Sequence, residues 1–188
     1  GNFRTLQEYG KEKGILVIAI PPIKVGGERV SSSRVRGLIR NAEMEEVIHL
    51  LNKPYFVIGK VADGEKRGRK MDFPTINILT SPDKLLPPNG VYLTRVALDG
   101  RLYTGMTNVG VCPTFDGHER RVETHIFDFN EIIYGADVMI CSYKWLRGEQ
   151  GFSSAKELKA QLERDKRQAV ELSADIKDME YSFKTNRY

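Results

Sequence analysis

The sequence predicts a mainly β fold, a barrel or sandwich, preceded by part of an α/β domain and followed by a helix. Three observations carry this expectation. Six short alternating or apolar segments fall between residues 55 and 146. The turn dipeptides Asn89-Gly90, Asp99-Gly100 and Asp116-Gly117 punctuate them. Pro54 marks a change of style from the helix-rich stretch before it. The expected division is therefore 1–52, the closing part of an α/β domain, and 53–188, the β domain with its helix and tail.

The elements follow in order. Arg4 to Lys13 reads as a short helix with Leu6 and Tyr9 on one side, ended by Gly14. Ile15-Leu-Val-Ile-Ala-Ile20 reads as a buried parallel strand, stopped by Pro21-Pro22. Gly26-Gly27 marks a turn. Ser31-Ser32-Ser33 then precedes a helical pattern with Val35, Leu38 and Ile39 on one face, serine being a good N-cap because its hydroxyl satisfies a free amide. A second helical stretch covers Met44 to Leu51. Helix, strand, helix, helix resembles the end of a nucleotide-binding α/β domain.

The β segments are Tyr55–Ala62, Thr75–Leu79, Gly90–Leu98, Leu102–Val111, Val122–Phe129 and Asp137–Leu146. Ser154 and Glu157 fit a capping box at the start of the last helix. Ala155, Leu158, Leu162 and Ala169 supply a face to cover the β domain. The polar and aromatic tail from Asp175 lacks periodicity and is expected to be poorly ordered or loosely docked.

Composition narrows the function. The 188 residues are 40% hydrophobic and 29% charged, which excludes disordered and fibrous classes. The net charge of +4 suits an anionic ligand such as a nucleotide, and also weak nucleic-acid contact. No apolar run approaches a membrane span, and no signal-peptide pattern is present. Cys112 and Cys141 have no metal-binding spacing, so free thiols in a reducing, cytoplasmic compartment are expected. The chain starts at Gly1 in mid-pattern and reads as a piece of a longer protein.

Four constellations bear chemistry. Gly64-Glu-Lys66-Arg67-Gly68-Arg-Lys70 is a glycine-punctuated basic loop that runs into Pro74-Thr75-Ile76-Asn77. Such a loop either covers phosphates or is a plain surface turn. It is not a Walker A loop. In an extended segment Thr75 and Asn77 share a face, and two neutral oxygen donors suit Mg²⁺, a hard cation that keeps water and phosphate oxygens. Arg121, Glu123, His125 and Phe127 likewise share one strand face. A carboxylate on a barrel's inner face is costly unless paired or working, so Glu123 reads as a general base or, on an exposed edge strand, as a salt-bridge partner. His125 reads as a hydrogen-bonded structural histidine before a ligand. Asn108 to Phe115 reads as a shaped loop after a strand, a binding loop or a plain turn. Ser31-Ser32-Ser33-Arg34-Val35-Arg36 is an ordinary N-cap or an anion site.

Together these motifs are far more specific than any one alone. Phe73-Pro-Thr-Ile-Asn77, Leu86-Pro-Pro-Asn-Gly-Val-Tyr92 and Asn108–Phe115 come in order. Glu123-Thr-His-Ile-Phe-Asp-Phe129, Ile133-Tyr-Gly135 and Leu146-Arg-Gly-Glu-Gln-Gly-Phe-Ser153 follow. In order and spacing the chain resembles the bacterial bifunctional riboflavin kinase/FMN adenylyltransferases, or FAD synthetases, with residues 54–172 similar to the kinase module. The resemblance implies a six-stranded antiparallel Greek-key-like barrel with a C-terminal helix. It implies ATP- and Mg²⁺-dependent phosphorylation of the ribityl 5′-hydroxyl of riboflavin to give FMN. It further implies Glu123 as the base and Thr75 with Asn77 as metal donors. Gly64, Lys66, Arg67, Gly68 and Lys70, together with Thr75 and Asn77, would hold nucleotide. Leu146, Arg147 and Phe152 would lie near the flavin.

Two residues depart from the family pattern. Ile76 stands where alanine is usual, and Asp72 stands where glycine is usual before Phe73. Residues 1–52 are similar to the end of the adenylyltransferase domain, with Ser31, Ser32 and Arg34 in its phosphate-holding motif. That domain's His-x-Gly-His motif is absent, the histidines being His49, His118 and His125, so this chain alone is not expected to make FAD. The expected partners are riboflavin/FMN and ATP/ADP, with no nucleic acid and no membrane. Two alternatives remain at this stage. One is a flavin- or nucleotide-binding module without catalysis. The other is a basic barrel for single-stranded nucleic acid, which lacks the usual interleaved aromatic platform.

Overall fold

The computed structural model describes residues 2–63, 72–114 and 117–176, the side chains within 112–119 excepted. The basic loop 64–70, the end of the Asn108–Phe115 motif and the tail beyond 176 lie outside the described residues. The chain divides into two compact units, Gly1–Ser32 and Ser33–Tyr188.

The first unit holds helix α1 (Phe3–Lys13) and a small hairpin of β1 (Lys24–Val25) and β2 (Glu28–Arg29). Asn2 caps α1 by accepting from the Thr5 amide at 3.0 Å. Gly14 ends it at φ +70°, a conformation open to glycine because it has no Cβ. Residues 15–20 do not form the expected buried strand. They are irregular, and Leu16 and Ile20 are 83% and 88% exposed. An apolar run becomes a parallel strand only beside another strand. Among the described residues of this unit, the strands β1 and β2 pair with each other.

The second unit begins with α2 (Ser32–Arg40) and α3 (Met44–Leu51), the latter at the bounds expected from sequence. Ile39, Met44 and Val47 join the same apolar cluster as Val57, Val96 and Ile140 from the strands. Compactness therefore divides the chain at Ser32/Ser33, earlier than the change of pattern at Pro54, because both helices bury their apolar faces with the strands that follow.

Six strands then close a barrel: β3 (Tyr55–Ala62), β4 (Ile76–Leu79), β5 (Gly90–Leu98), β6 (Arg101–Thr114), β7 (Gly117–Ile126) and β8 (Asp137–Arg147). The order around it is β3-β4-β7-β6-β5-β8, and every pair is antiparallel. β5, β6 and β7 form a meander, with β4 beside β7 and β8 beside β5, which makes two overlapping Greek keys. The expected barrel is thus present. The stretch Asn108–Pro113 is not a loop. β6 continues through it to Thr114, with Asn108 opposite Glu123 and Pro113 opposite His118.

Strand alternation sorts the side chains into two cores. Ile78, Val109, Val122 and Ile126 fill the barrel interior. There the hydroxyls of Thr94, Thr107 and Thr124 link into a buried chain of 2.9 and 2.8 Å bonds, which satisfies polar atoms where water cannot reach. Phe73, Val91, Met106, Phe127 and Met139 face outward and pack with Ala169 of α4 (Ala155–Ser173). Ser154 caps α4 by accepting from the Glu157 amide at 3.2 Å. The Glu157 carboxylate reaches Ser153, at the backbone amide and the hydroxyl, so the capping box is shifted by one residue on that side. Ala155 is exposed, while Leu158 and Leu162 are half-buried.

Candidate active site

The site forms where the outward faces of β4, β6 and β7 meet α4 and the turn before it. Asn77 lies opposite Glu123, and Glu123 lies opposite Asn108. Side chains paired this way stand about 4.5–5.5 Å apart at Cβ, so the three form one row across three strands. Because Val122 and Thr124 point into the barrel, Glu123 points out. The expectation of an inner-face carboxylate is therefore corrected. Glu123 is half-buried in a cleft, where its charge costs less than inside a closed barrel.

Two clefts meet at Thr75, and the first of them holds Asn108 and Glu123 of the row. The first, about 660 Å³, is lined by Glu123, Asn108, His125, Arg147, Phe152 and Leu162 among others. The second, about 440 Å³, is lined by Thr75, Ile76, Thr124, Asn130 and Tyr134 among others. Thr75 lines both. A group in the second cleft thus passes Thr75 on its way to Glu123 in the first.

Arg147 is heavily committed. Its Nε and Nη2 donate to Asp165 at 2.7–3.0 Å, and its Nη1 donates to the Gly148 carbonyl at 2.9 Å. Asp165 is 1% exposed and also accepts from Gln161 at 2.7 Å. The guanidinium thereby ties α4 to the end of β8, and it lies 6.0 Å from the centre of the Phe152 ring. Arg147 and Phe152 present a flat wall to the first cleft. Leu146 packs into the cluster beneath α4 and is not among the residues lining that cleft. Sequence reasoning missed Asp165. Its signal was a lone acid in the 158-162-165-169 stripe of α4.

His125 is buried, with rings of Phe73 and Phe127 at 5.1 and 5.6 Å. Its Nδ1 lies 2.8 Å from the Pro74 carbonyl. Burial holds its pKa below the usual histidine value, partly offset by that bond. The structural reading of His125 agrees with this.

The two departures from the family pattern do not obstruct the row. Asp72 has φ +62°, a backbone state that glycine adopts freely and aspartate tolerates. Its exposed carboxylate pairs with Lys159 of α4 at 2.6 Å. Ile76 packs against the barrel-interior cluster, on the face opposite Asn77. For a cation, Thr75 and Asn77 offer a hydroxyl and an amide oxygen beside a carboxylate. Among the described residues no cluster of three His, Cys, Asp or Glu could hold a metal alone. A neutral donor pair of this kind fits Mg²⁺ that arrives with phosphate and water. Ser31 and Ser32 lie at the start of α2, and Arg34 within it.

The fold is a closed six-stranded antiparallel barrel, with Glu123 in the larger cleft and Thr75 shared by both clefts. A family model described as Flavokinase, riboflavin kinase, matches residues 51–173, and the chain belongs to that family. It is 38% identical over 155 residues to a bifunctional riboflavin kinase/FMN adenylyltransferase of Bacillus subtilis, covering 80% of this chain and 48% of the relative. A protein of the same description from Haemophilus influenzae is 36% identical, over 88% of this chain and 54% of the relative. The chain spans about half the length of the curated relatives it matches. A solved Streptococcus pneumoniae chain, titled a macrolide-efflux protein, superposes with a TM-score of 0.80 at 33% identity. It covers 94% of this chain and 56% of that one. Among the described residues no helix is long and apolar enough to cross a membrane.

Proposed function

We propose that this chain is the kinase part of a flavin-nucleotide synthesising enzyme, transferring the γ-phosphoryl group of ATP to the ribityl 5′-hydroxyl of riboflavin. The observation that carries the proposal is the junction of two clefts at Thr75, with Glu123 on the far side. In this reading riboflavin occupies the larger cleft, against Arg147 and Phe152. ATP occupies the smaller one, and its phosphates reach Thr75 and Asn77. The 64–70 loop, with Gly64, Lys66, Arg67, Gly68 and Lys70, is assigned to the nucleotide by family resemblance.

Glu123 takes the proton of the ribityl hydroxyl, whose oxygen attacks the γ-phosphorus, and ADP leaves. When bound, Mg²⁺ neutralises charge on the phosphates. Positioning and charge neutralisation dominate phosphoryl transfer, so a base contributes a smaller share. A row of Asn77, Glu123 and Asn108 on a rigid sheet suits that demand, because paired strands hold side chains more firmly than loops do. Asp72 turns to Lys159 and Ile76 packs against the barrel interior, and both line the smaller cleft, so ATP bound there would meet them. Ser31, Ser32 and Arg34 are assigned to the remnant of an adenylyltransferase site. Residues 1–52 are correspondingly proposed as the end of that domain, and FAD synthesis as a property of the longer protein.

Incubation with riboflavin, ATP and Mg²⁺, followed by chromatography of the flavins, tests the reading. FMN and ADP should appear in equal amounts, and no FAD. Tight riboflavin binding with no FMN formed would favour the non-catalytic module.

A further inference from the structure

The β4–β7 ladder begins at Ile76, paired with Thr124. Thr75 stands one residue ahead of it, so the ladder's hydrogen bonds do not hold it. Its approach is set instead by the peptide that joins it to Pro74. The oxygen of that peptide accepts from His125. A carbonyl oxygen has no proton to give, so the hydrogen in the 2.8 Å contact belongs to Nδ1. The imidazole is therefore the Nδ1–H tautomer. Its Nε2 is a buried lone pair without a hydrogen-bond partner among the described residues. Phe73 and Phe127 flank the ring and keep it from turning. The peptide is planar, so anchoring its oxygen limits how the unit can turn between Pro74 and Thr75 and thereby restrains the direction in which the Thr75 Cα leaves.

His125 lies two residues beyond Glu123 on the same outward face of β7. The clamp and the carboxylate thus share one rigid strand, and the clamp holds the residue that both clefts share. We propose that His125 is a positioning residue. Its Nδ1–H holds the Pro74–Thr75 peptide so that the Thr75 hydroxyl meets a phosphate-bound divalent cation in register with Glu123. This deepens the kinase reading above and rests on it for the identity of the ligands. Outer partners that orient metal donors typically matter about 10–100-fold in metal affinity.

The test uses Mn²⁺ with ADP, followed by water-proton relaxation without turnover. His125→Phe keeps an aromatic ring between the two phenylalanines and removes the donor. It should weaken Mn²⁺–ADP binding by about tenfold or more. His125→Asn, which restores an N–H where Nδ1 stands, should recover most of the loss. Unchanged Mn²⁺–ADP binding by His125→Phe overturns the proposal. So does a folded His125→Asn as impaired as His125→Phe. Should the phenylalanine variant not fold, the ¹⁵N spectrum of the wild-type histidines decides: an Nδ1–H tautomer at His125 supports the clamp, and an Nε2–H tautomer overturns it. A wild-type protein that binds Mn²⁺–ADP in a His125-dependent way yet makes no FMN keeps the clamp and loses the kinase reading.

Discussion

The two faces of β4, β6 and β7 differ by one step along the chain. Inward, Ile78, Val109, Val122 and Ile126 meet in an apolar core, with Thr107 and Thr124 tied hydroxyl to hydroxyl. Outward, Asn108 and Glu123 line the larger cleft, Asn77 stands opposite Glu123, and His125 is bonded to the Pro74 carbonyl. The same backbone hydrogen bonds serve both. The comparison teaches that this barrel separates stability from chemistry by side-chain parity, except where Ile76, Thr124 and Ile126 of the inward face also line the smaller cleft. A change on one face should be felt as folding free energy, and a change on the other as turnover or ligand binding.

The sharpest way to break that separation is Glu123→Gln, which keeps shape and removes the base. Turnover should fall by about 10²–10⁴-fold while nucleotide binding and melting temperature barely move. Full turnover would remove Glu123 from its role. Asp165→Ala attacks the joint between the two regions, because it leaves the half-enclosed Arg147 without its carboxylate. Breaking such a buried pair typically costs about 3–5 kcal/mol, and here riboflavin binding should weaken as well, since α4 lines the cleft. Urea unfolding and flavin titration would report the two losses together.

Ile78→Ala tests the inner face alone. A loss of about 2–5 kcal/mol in urea unfolding is expected, with KM and kcat per folded molecule unchanged. Smaller still is Thr107→Val, which interrupts the hydroxyl chain and leaves Thr94 and Thr124 each short of a partner. The expected cost is about 1–3 kcal/mol, again without a kinetic effect. A kinetic defect in either inward variant would show that parity does not separate the two properties.

Much of the fold was legible in the sequence because its signals are local. Alternation placed β3, β5 and β8 within a residue of their observed bounds, and Gly14 and Ser154 closed and opened helices by cap chemistry that needs no tertiary context. The pairing of Thr75 with Asn77 and the face shared by Glu123 and His125 follow from two-residue periodicity alone. What periodicity cannot supply is which face turns inward, and there the inner-face reading of Glu123 failed. Nor can it supply partners distant in sequence. Asn108 joins the row only because β6 pairs with β7, and Asp165 meets Arg147 only because α4 folds back over the barrel. The exposed run 15–20 shows the same limit: its apolar content was plain, but a strand exists only where another strand meets it. By itself, then, the sequence determined the elements, the alternation and the chemical groups. Barrel closure and the docking of α4 decided which groups face each other, because those contacts are set by long-range packing and not by neighbours along the chain.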